Sequence, residues 1–229
     1  MKAVIHQANY FPYVGFFHKI SMADTLVLMD DTQYDKKFTN RNKIIVPNGW
    51  IWLSVPINKD HKFFVNRLVE INNDIEWKQD HWKKIQQSYA KAEFFKEYQN
   101  YFTNLYSTNW EFLFELNYEI LLKVIDWLDI KIEIMRESEL NINGSSTKRL
   151  VNICKAIGAD TYLSGAGGKG YIEEEMFKKN EIKLVYQKFI HPVYPQRFVK
   201  EFIPDLSIID MLFNVGSRTM KMIKEANEE

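Results

Sequence analysis

The chain reads as an α/β protein: a mostly parallel sheet with flanking helices, an antiparallel hairpin and a helical insertion. Three observations predict this. Short apolar runs at residues 2–5, 25–29, 131–135, 161–163 and 182–186 have the length and composition of buried strands. Helical patterns separate most of them, which is the alternation of a parallel sheet built from βαβ units. Between the second and third runs, residues 77–128 space apolar and aromatic side chains by three and four, a helical period.

The elements follow in order. The strand over 2–5 opens into an irregular loop, because Pro12 lacks a backbone donor and disfavours the helical region at Phe11. A short helix over 15–21 comes next, then the strand 25–29, which ends on Asp30 and Asp31. Apolar segments 44–46 and 50–55 flank Pro47, Asn48 and Gly49, and Asn-Gly between apolar runs predicts a hairpin. Residues 58–66 are polar and read as a surface loop, with 68–71 as a further strand. Asp74 and Thr108 are candidate caps for the helices of 77–128, so residues 74–130 are expected to form a helical insertion or subdomain within one α/β domain spanning 1–229. Ser145 or Ser146 caps a helix over 147–157, and a glycine-rich turn from Ser164 to Gly170 leads into a helix over 171–179. Ser207 and Asp210 have the spacing of a capping box, opening a helix over 206–213 that stops near Gly216.

Composition narrows the function classes. With 229 residues and 46% apolar content, the chain can bury a sizeable core. Lys plus Arg and Asp plus Glu both number 30, so there is no basic excess for general binding to nucleic acid phosphates. Cys154 is the sole cysteine, which excludes an intramolecular disulfide and a multi-cysteine zinc site and fits a reducing cytoplasm. It falls within a helical pattern among apolar neighbours and reads as an inert buried thiol. The apolar run behind Met1 and Lys2 is too short for a signal-peptide core, and no stretch approaches the roughly 18 to 20 apolar residues that span a bilayer. A cytoplasmic protein is expected. Aromatic residues make up 15% of the chain, many beside Asn, Gln, Lys or His, which suits pockets that stack on rings or sugars. No HExxH, GxSxG, EF-hand or P-loop pattern occurs, and no metal-ligand set is assigned.

Four clusters are candidates for chemistry. The first is the loop after the first strand, with His6, Gln7, Asn9, Tyr10 and, on the following helix, His18. Ligands of α/β sheets gather outside the carboxyl ends of strands, although a hydrogen-bonded core histidine among packing aromatics fits the same residues. The second is Asp30, Asp31, Gln33, Lys36, Lys37, Asn40, Arg41 and Asn42. Paired acids at a strand end can orient an amine or hold magnesium, and the cations can neutralise phosphate; a solvated hairpin entry is the other reading. The third is SGAGGKGY, where Ser164, Gly165 and Tyr171 lie at a strand-to-helix turn open to an anion. Its spacing matches neither a P-loop nor GxGxxG. The fourth is His191, Tyr194 and Gln196, on a segment held by two prolines.

The segments HQANYFPYVGFFHKI, DTLVLMDDTQYDKKFTNRNKI, WLSVPI, DTYLSGAGGKGYI, YQKFIHPVYPQ and LSIIDMLFNVG, in that order, resemble the WbqC-like family of bacterial polysaccharide-cluster proteins. The resemblance covers nearly the whole chain. It departs at Ala8, where the family pattern usually has proline after His-Gln. It implies a place in the biosynthesis of O-antigen and related surface glycans, with transfer of glycine or another acyl group to the amino group of a nucleotide-linked amino sugar.

On that reading His6 or His18 serves as base and Asp30 or Asp31 orients the amine or the base. Gln7, Asn9 and Asn42 supply hydrogen-bond donors, and Lys37 with Arg41 grips phosphate. The acyl group is activated by ATP with magnesium, by an acyl-thioester or by an aminoacyl-tRNA, and the sequence leaves all three open. Two other classes stay beside it. An adenylating ligase or nucleotidyltransferase is similar in layout, though the HxGH signature of such enzymes is absent; His6 and His18 would then meet phosphate and the acidic pair magnesium. A non-catalytic nucleotide-sugar or glycan-binding component is the third.

Overall fold

The winding of the sheet follows from where its crossovers can pack. In the computed structural model the described residues are 1–35, 37–58 and 64–228; Lys36 and most of the polar segment 58–66 lie outside them. Strand β1 (Lys2–His6) runs through helix α1 (Val14–Ser21) into β2 (Thr25–Leu28). A separate antiparallel hairpin follows, β3 (Arg41–Val46) with β4 (Gly49–Ser54), Val46 facing Gly49 across the turn. Three helices come next, α2 (Trp77–Tyr89), α3 (Phe95–Ser107) and α4 (Leu113–Trp127). The chain then returns to the sheet with β5 (Glu133–Arg136), α5 (Ser146–Ala156), β6 (Thr161–Ser164), α6 (Glu174–Lys179) and β7 (Lys183–Tyr186). Two last helices, α7 (Ile208–Val215) and α8 (Thr219–Ala226), close it.

The five-stranded sheet is parallel throughout, in the order β5-β2-β1-β6-β7. The chain moves from β1 outward to β2 and β5, then jumps back to β6 and on to β7. Because crossovers are right-handed, reversing the direction of travel moves the connecting helices to the opposite face. The side chains follow suit. Val4, Leu26 and Leu28 face a core with Phe17 and Ile20 of α1, the helices α2 to α4 and α7. Ala3, Ile5 and Val27, one residue out of phase, face Ile153 and Cys154 of α5 and Phe177 of α6. Cys154 is fully buried, and burial raises its thiol to about 12.

Several local expectations change. Residues 68–71 are not a strand: Asn66–Leu68 make a 3-10 turn, and beyond it, among the described residues, only the isolated bridges Ile57–Ile71 and Glu70–Phe112 form. The segment lies over the start of α4, where among the described residues no strand runs alongside to complete a ladder. Asp74 does not cap α2, which begins after Glu76 without a side-chain cap. Thr108 ends α3 rather than starting a helix, its Oγ1 donating to the carbonyl of Asn104 at 2.9 Å. Ser145 precedes α5 but makes no capping bond. The glycine-rich turn is a 3-10 segment, Ala166–Gly170, so α6 starts only at Glu174. Ser207 caps α7, its Oγ accepting from the Ile209 N–H.

Asp210 does not complete that capping box; it is fully buried one turn inside the core. Tyr89 donates to its Oδ1 at 2.8 Å, Tyr194 to its Oδ2 at 2.9 Å, and Gln196 Nε2 to Oδ2 at 3.2 Å. The Tyr89 hydroxyl in turn accepts from the Ile45 N–H of β3 at 3.2 Å. One carboxyl therefore joins α2, the hairpin, α7 and the proline-held segment. Burial pushes it up to about 6, against the three donors, which lower it. The folded chain thus holds this proton more tightly than the unfolded one, so Asp210 favours folding most at low pH and loses that advantage as pH rises from about 4 to about 6. Over that window wild type is expected to lose roughly 3 kcal/mol of unfolding free energy relative to Asp210→Asn. Urea titrations of both proteins across the window check this, and parallel pH profiles would count against it.

Candidate functional site at the carboxyl edge of the sheet

The site begins where the strand order reverses. β1 has β2 on one side and β6 on the other, and their following helices leave on opposite faces, opening a crevice beyond their carboxyl ends. His6 ends β1, so the loop from Gln7 to Tyr13 forms the floor of this crevice.

That loop is fastened from three directions. Asn42 Nδ2 of β3 donates to the Phe11 carbonyl at 2.6 Å, and Ser207 Oγ donates to the same oxygen at 3.0 Å. Asn117 Nδ2 of α4 donates to the carbonyls of Ala8 at 3.0 Å and Thr39 at 2.7 Å. Phe11 itself has φ of 42°, a left-handed conformation that a non-glycine residue adopts at a cost of about 1–2 kcal/mol. The Tyr13 ring then folds back over Gly15, where an added Cβ would stand 2.5 Å from the ring.

Two cavities meet at this floor. One, of about 300 Å³, is lined by Ile5, His6, Gln7, Asn9, Lys37 and Tyr171 among others. The second, of about 440 Å³, is lined by His6, Asn9, Tyr13, Phe16, Asn42 and Asp205 among others. His6, Asn9 and Phe38 are walls of both. A third, of about 320 Å³, shares Met29, Leu150 and Tyr171 with the first and adds Asp31, Gln33 and Arg149.

His6 is the titratable group at the centre. Its Nδ1 lies 2.8 Å from the Gln7 carbonyl, and since a carbonyl only accepts, Nδ1 carries the proton and Nε2 the lone pair. Nε2 makes no hydrogen bond among the described residues. Burial, then the nearby Lys19 ammonium, lower the imidazole to about 3, with the Gln7 carbonyl opposing. Gln7 Oε1 accepts from Thr39 Oγ1 at 3.3 Å. Asn9 is half-buried, and its carboxamide makes no hydrogen bond among the described residues. A neutral imidazole and an uncommitted amide on one wall can accept a proton and donate to a developing oxyanion.

The other residues singled out in the sequence divide. Asp31 reaches the third cavity, paired with Arg67 at 2.8 Å and Arg149 at 3.6 Å. Asp30 is buried elsewhere, its oxygens accepting from the backbone N–H and hydroxyl of Ser138 at 2.9 and 2.6 Å, so it ties β2 to the segment after β5. His18 is buried in α1, its Nδ1 2.8 Å from Gln187 Nε2. Tyr10 turns into the helical core, hydrogen-bonded to His81 and Tyr106. Asn40 donates to the Val55 carbonyl, while Arg41 donates to the Lys37 carbonyl and lies over the Trp52 ring at 4.6 Å. The Lys37 ammonium is exposed near Asp35.

Ser164 is buried, and Gly165 follows directly after β6. Tyr194 and Gln196 serve Asp210. His191 Nδ1 donates to the Pro192 carbonyl at 2.9 Å, and burial lowers this imidazole. Among the described residues no group of three or more His, Cys, Asp or Glu side chains converges as a metal site, and no helix is long and apolar enough to cross a membrane.

Sequence reasoning missed Phe38, Thr39, Asp205 and Arg149, which line these cavities, and Lys19, whose charge acts on His6. For Lys19 a signal was present, a lysine in the middle of the apolar run Phe16–Phe17–His18–Lys19–Ile20. The others reach the cleft through tertiary contacts alone.

The model of the WbqC-like protein family matches residues 7–222, which takes in the residues of the cleft after Ile5 and His6. The chain belongs to this family. A relative in Mycobacterium tuberculosis, the uncharacterized protein Rv1507c, is 28% identical over 221 residues, covering 94% of either chain. No solved structure matches.

In this WbqC-like protein His6 is expected to remain neutral with the proton on Nδ1 from pH 8 down to about pH 4.5. Long-range ¹⁵N–¹H spectra of the imidazole nitrogens across that range, assigned with His6→Ala, provide the check. An imidazolium signal from His6 near pH 6 would contradict the geometry.

Proposed function

We propose that this chain is an amide-forming transferase, which adds an acyl or aminoacyl group to the amine of a nucleotide-linked amino sugar in bacterial surface-polysaccharide biosynthesis. The observation that carries this reading is the pairing, at the sheet's reversal point, of neutral His6 with the uncommitted carboxamide of Asn9. When an amine attacks an activated acyl carbon, a C–N bond forms, the amine sheds a proton, and the carbonyl oxygen gathers negative charge before the leaving group departs. Nε2 of His6 suits the proton and returns it to the leaving group; Asn9 Nδ2 suits the oxygen. Phe38 and Tyr171, both exposed on the cavity rims, offer faces for a base or sugar ring, and Lys37 offers a charge for phosphate. Family membership supports the glycan setting, through the resemblance already described.

The strand order and a histidine at the end of β1 also favour a second reading, adenylation or nucleotidyl transfer, in which His6 meets phosphate oxygens. One experiment separates them. Purified protein is incubated with amino-sugar nucleotides and with glycine plus ATP, acyl-thioesters or glycyl-tRNA, and the sugar is weighed by mass spectrometry while pyrophosphate is assayed. Amide formation is expected, falling roughly a hundredfold or more in kcat/KM in His6→Ala and about tenfold or more in Asn9→Ala. ATP-dependent pyrophosphate release without acylation supports the second reading, and nucleotide-sugar binding with neither reaction supports a binding component.

A further inference from the structure

Among the described residues four charged side chains are buried, Lys19, Asp30, Glu137 and Asp210. Three have a charged or hydrogen-bonding partner, although Oε2 of Glu137 has none among the described residues. Asp30 accepts two bonds from Ser138, Glu137 pairs with Arg149, and Asp210 accepts from two tyrosines and a glutamine. Lys19 has no such answer. It is 5% exposed, yet among the described residues no carboxylate pairs with it and no acceptor takes a hydrogen bond from its ammonium. A buried charge without a partner is costly and is retained where something else meets it.

Its position says what that is. Nζ lies 5.9 Å from the centre of the Phe16 ring, whose edge packs against His6 with centroids 5.1 Å apart. On the other side, a Cβ added at Gly165 would stand 3.8 Å from Nζ. His6 ends β1 and Gly165 follows β6, so the buried ammonium lies near the carboxyl ends of the two strands between which the order reverses. Sheets wound this way receive phosphorylated ligands at that point, beside the loop after the first strand. Glycine at 165 leaves the backbone bare there, so a ligand can approach Nζ without meeting a side chain.

We propose that Lys19 is an anion-binding cation of this cleft, its ammonium pairing with a phosphate of the ligand that lies across the crevice between β1 and β6. The inference rests on the nucleotide-linked substrate of the proposed function and names the residue that recognises its diphosphate. It also couples binding to chemistry. Lys19 is one of the two causes that lower His6, so an anion on Lys19 relieves that charge and makes the imidazole a stronger base. Burial lowers Lys19 itself to about 8, and a bound phosphate favours the protonated form.

Calorimetric titration of the full chain with inorganic pyrophosphate and with uridine diphosphate tests this in wild type, Lys19→Met and Lys19→Arg. Lys19→Met is expected to bind roughly ten- to hundredfold more weakly, with Lys19→Arg close to wild type. The ¹⁵Nζ signal of Lys19 and the His6 imidazole titration should both move upward in pH when pyrophosphate is added. Equal affinity in Lys19→Met, or a wild type that binds neither probe at millimolar concentration, overturns the proposal. If Lys19→Met does not fold, an Nζ signal in wild type unmoved by pyrophosphate overturns it instead. Pyrophosphate binding through Lys19 without acylation of any amino sugar would sink the transferase reading and leave this site standing; acylation with an unchanged KM in Lys19→Met would do the reverse.

Discussion

The carbonyl of Phe11 is the point on which the rest of this architecture depends. It belongs to a loop that must cross the carboxyl edge of the sheet, where backbone polar groups are buried and neither helix nor strand is available to satisfy them. Two donors from distant parts of the chain meet it, Asn42 of the hairpin and Ser207 at the start of α7. Asn117 of α4 does the same for Ala8 and, through Thr39, fastens the segment that forms the opposite wall. The left-handed backbone at Phe11 persists because these contacts over-determine it. The hairpin, the helical segment and the C-terminal helices thus share one mechanical task, holding a loop that leaves Nε2 of His6 and the carboxamide of Asn9 to face a ligand.

Electrostatics divides the molecule along the same line. Most buried charges among the described residues have local partners: Asp210 has its tyrosines, and one oxygen of Glu137 has Arg149. Such networks are specific in geometry and contribute rigidity where they are fully satisfied. At the cleft the pattern reverses, with a lowered imidazole, an uncommitted amide and an ammonium lacking a counterion placed together. Perturbed and unsatisfied groups concentrate where a ligand completes the set.

Much of this was legible from residue patterns, and for a plain reason. A strand in a parallel sheet is buried on both faces, so its apolar run stands out, and the helices between strands bury one stripe each. Even so, residues 68–71 carried a strand-like run and became isolated bridges, because an apolar run reports burial and not the presence of a neighbouring strand. The cleft was legible in part. His6, Gln7 and Asn9 were marked by polarity at a strand end, and they do line it. His18 and Asp30 bore the same mark and are buried against Gln187 and Ser138 instead. A polar residue beside a strand must be satisfied, but the sequence does not say by what.

The chain by itself determined the strand and helix alternation, the hairpin turn and the chemistry available at the end of β1, since these depend on local periodicity and residue type. Only the tertiary structure decided the strand order, because that order follows from which crossovers pack on which face. It alone decided which polar side chains are spent on holding the loop and which are left for a ligand. Tyr194 and Gln196 went to a buried carboxyl, and Lys19, hidden in an apolar helix, came to the crevice. Lys19 and Gly165, separated by more than a hundred residues, meet only once the sheet is wound, and no local pattern records that meeting.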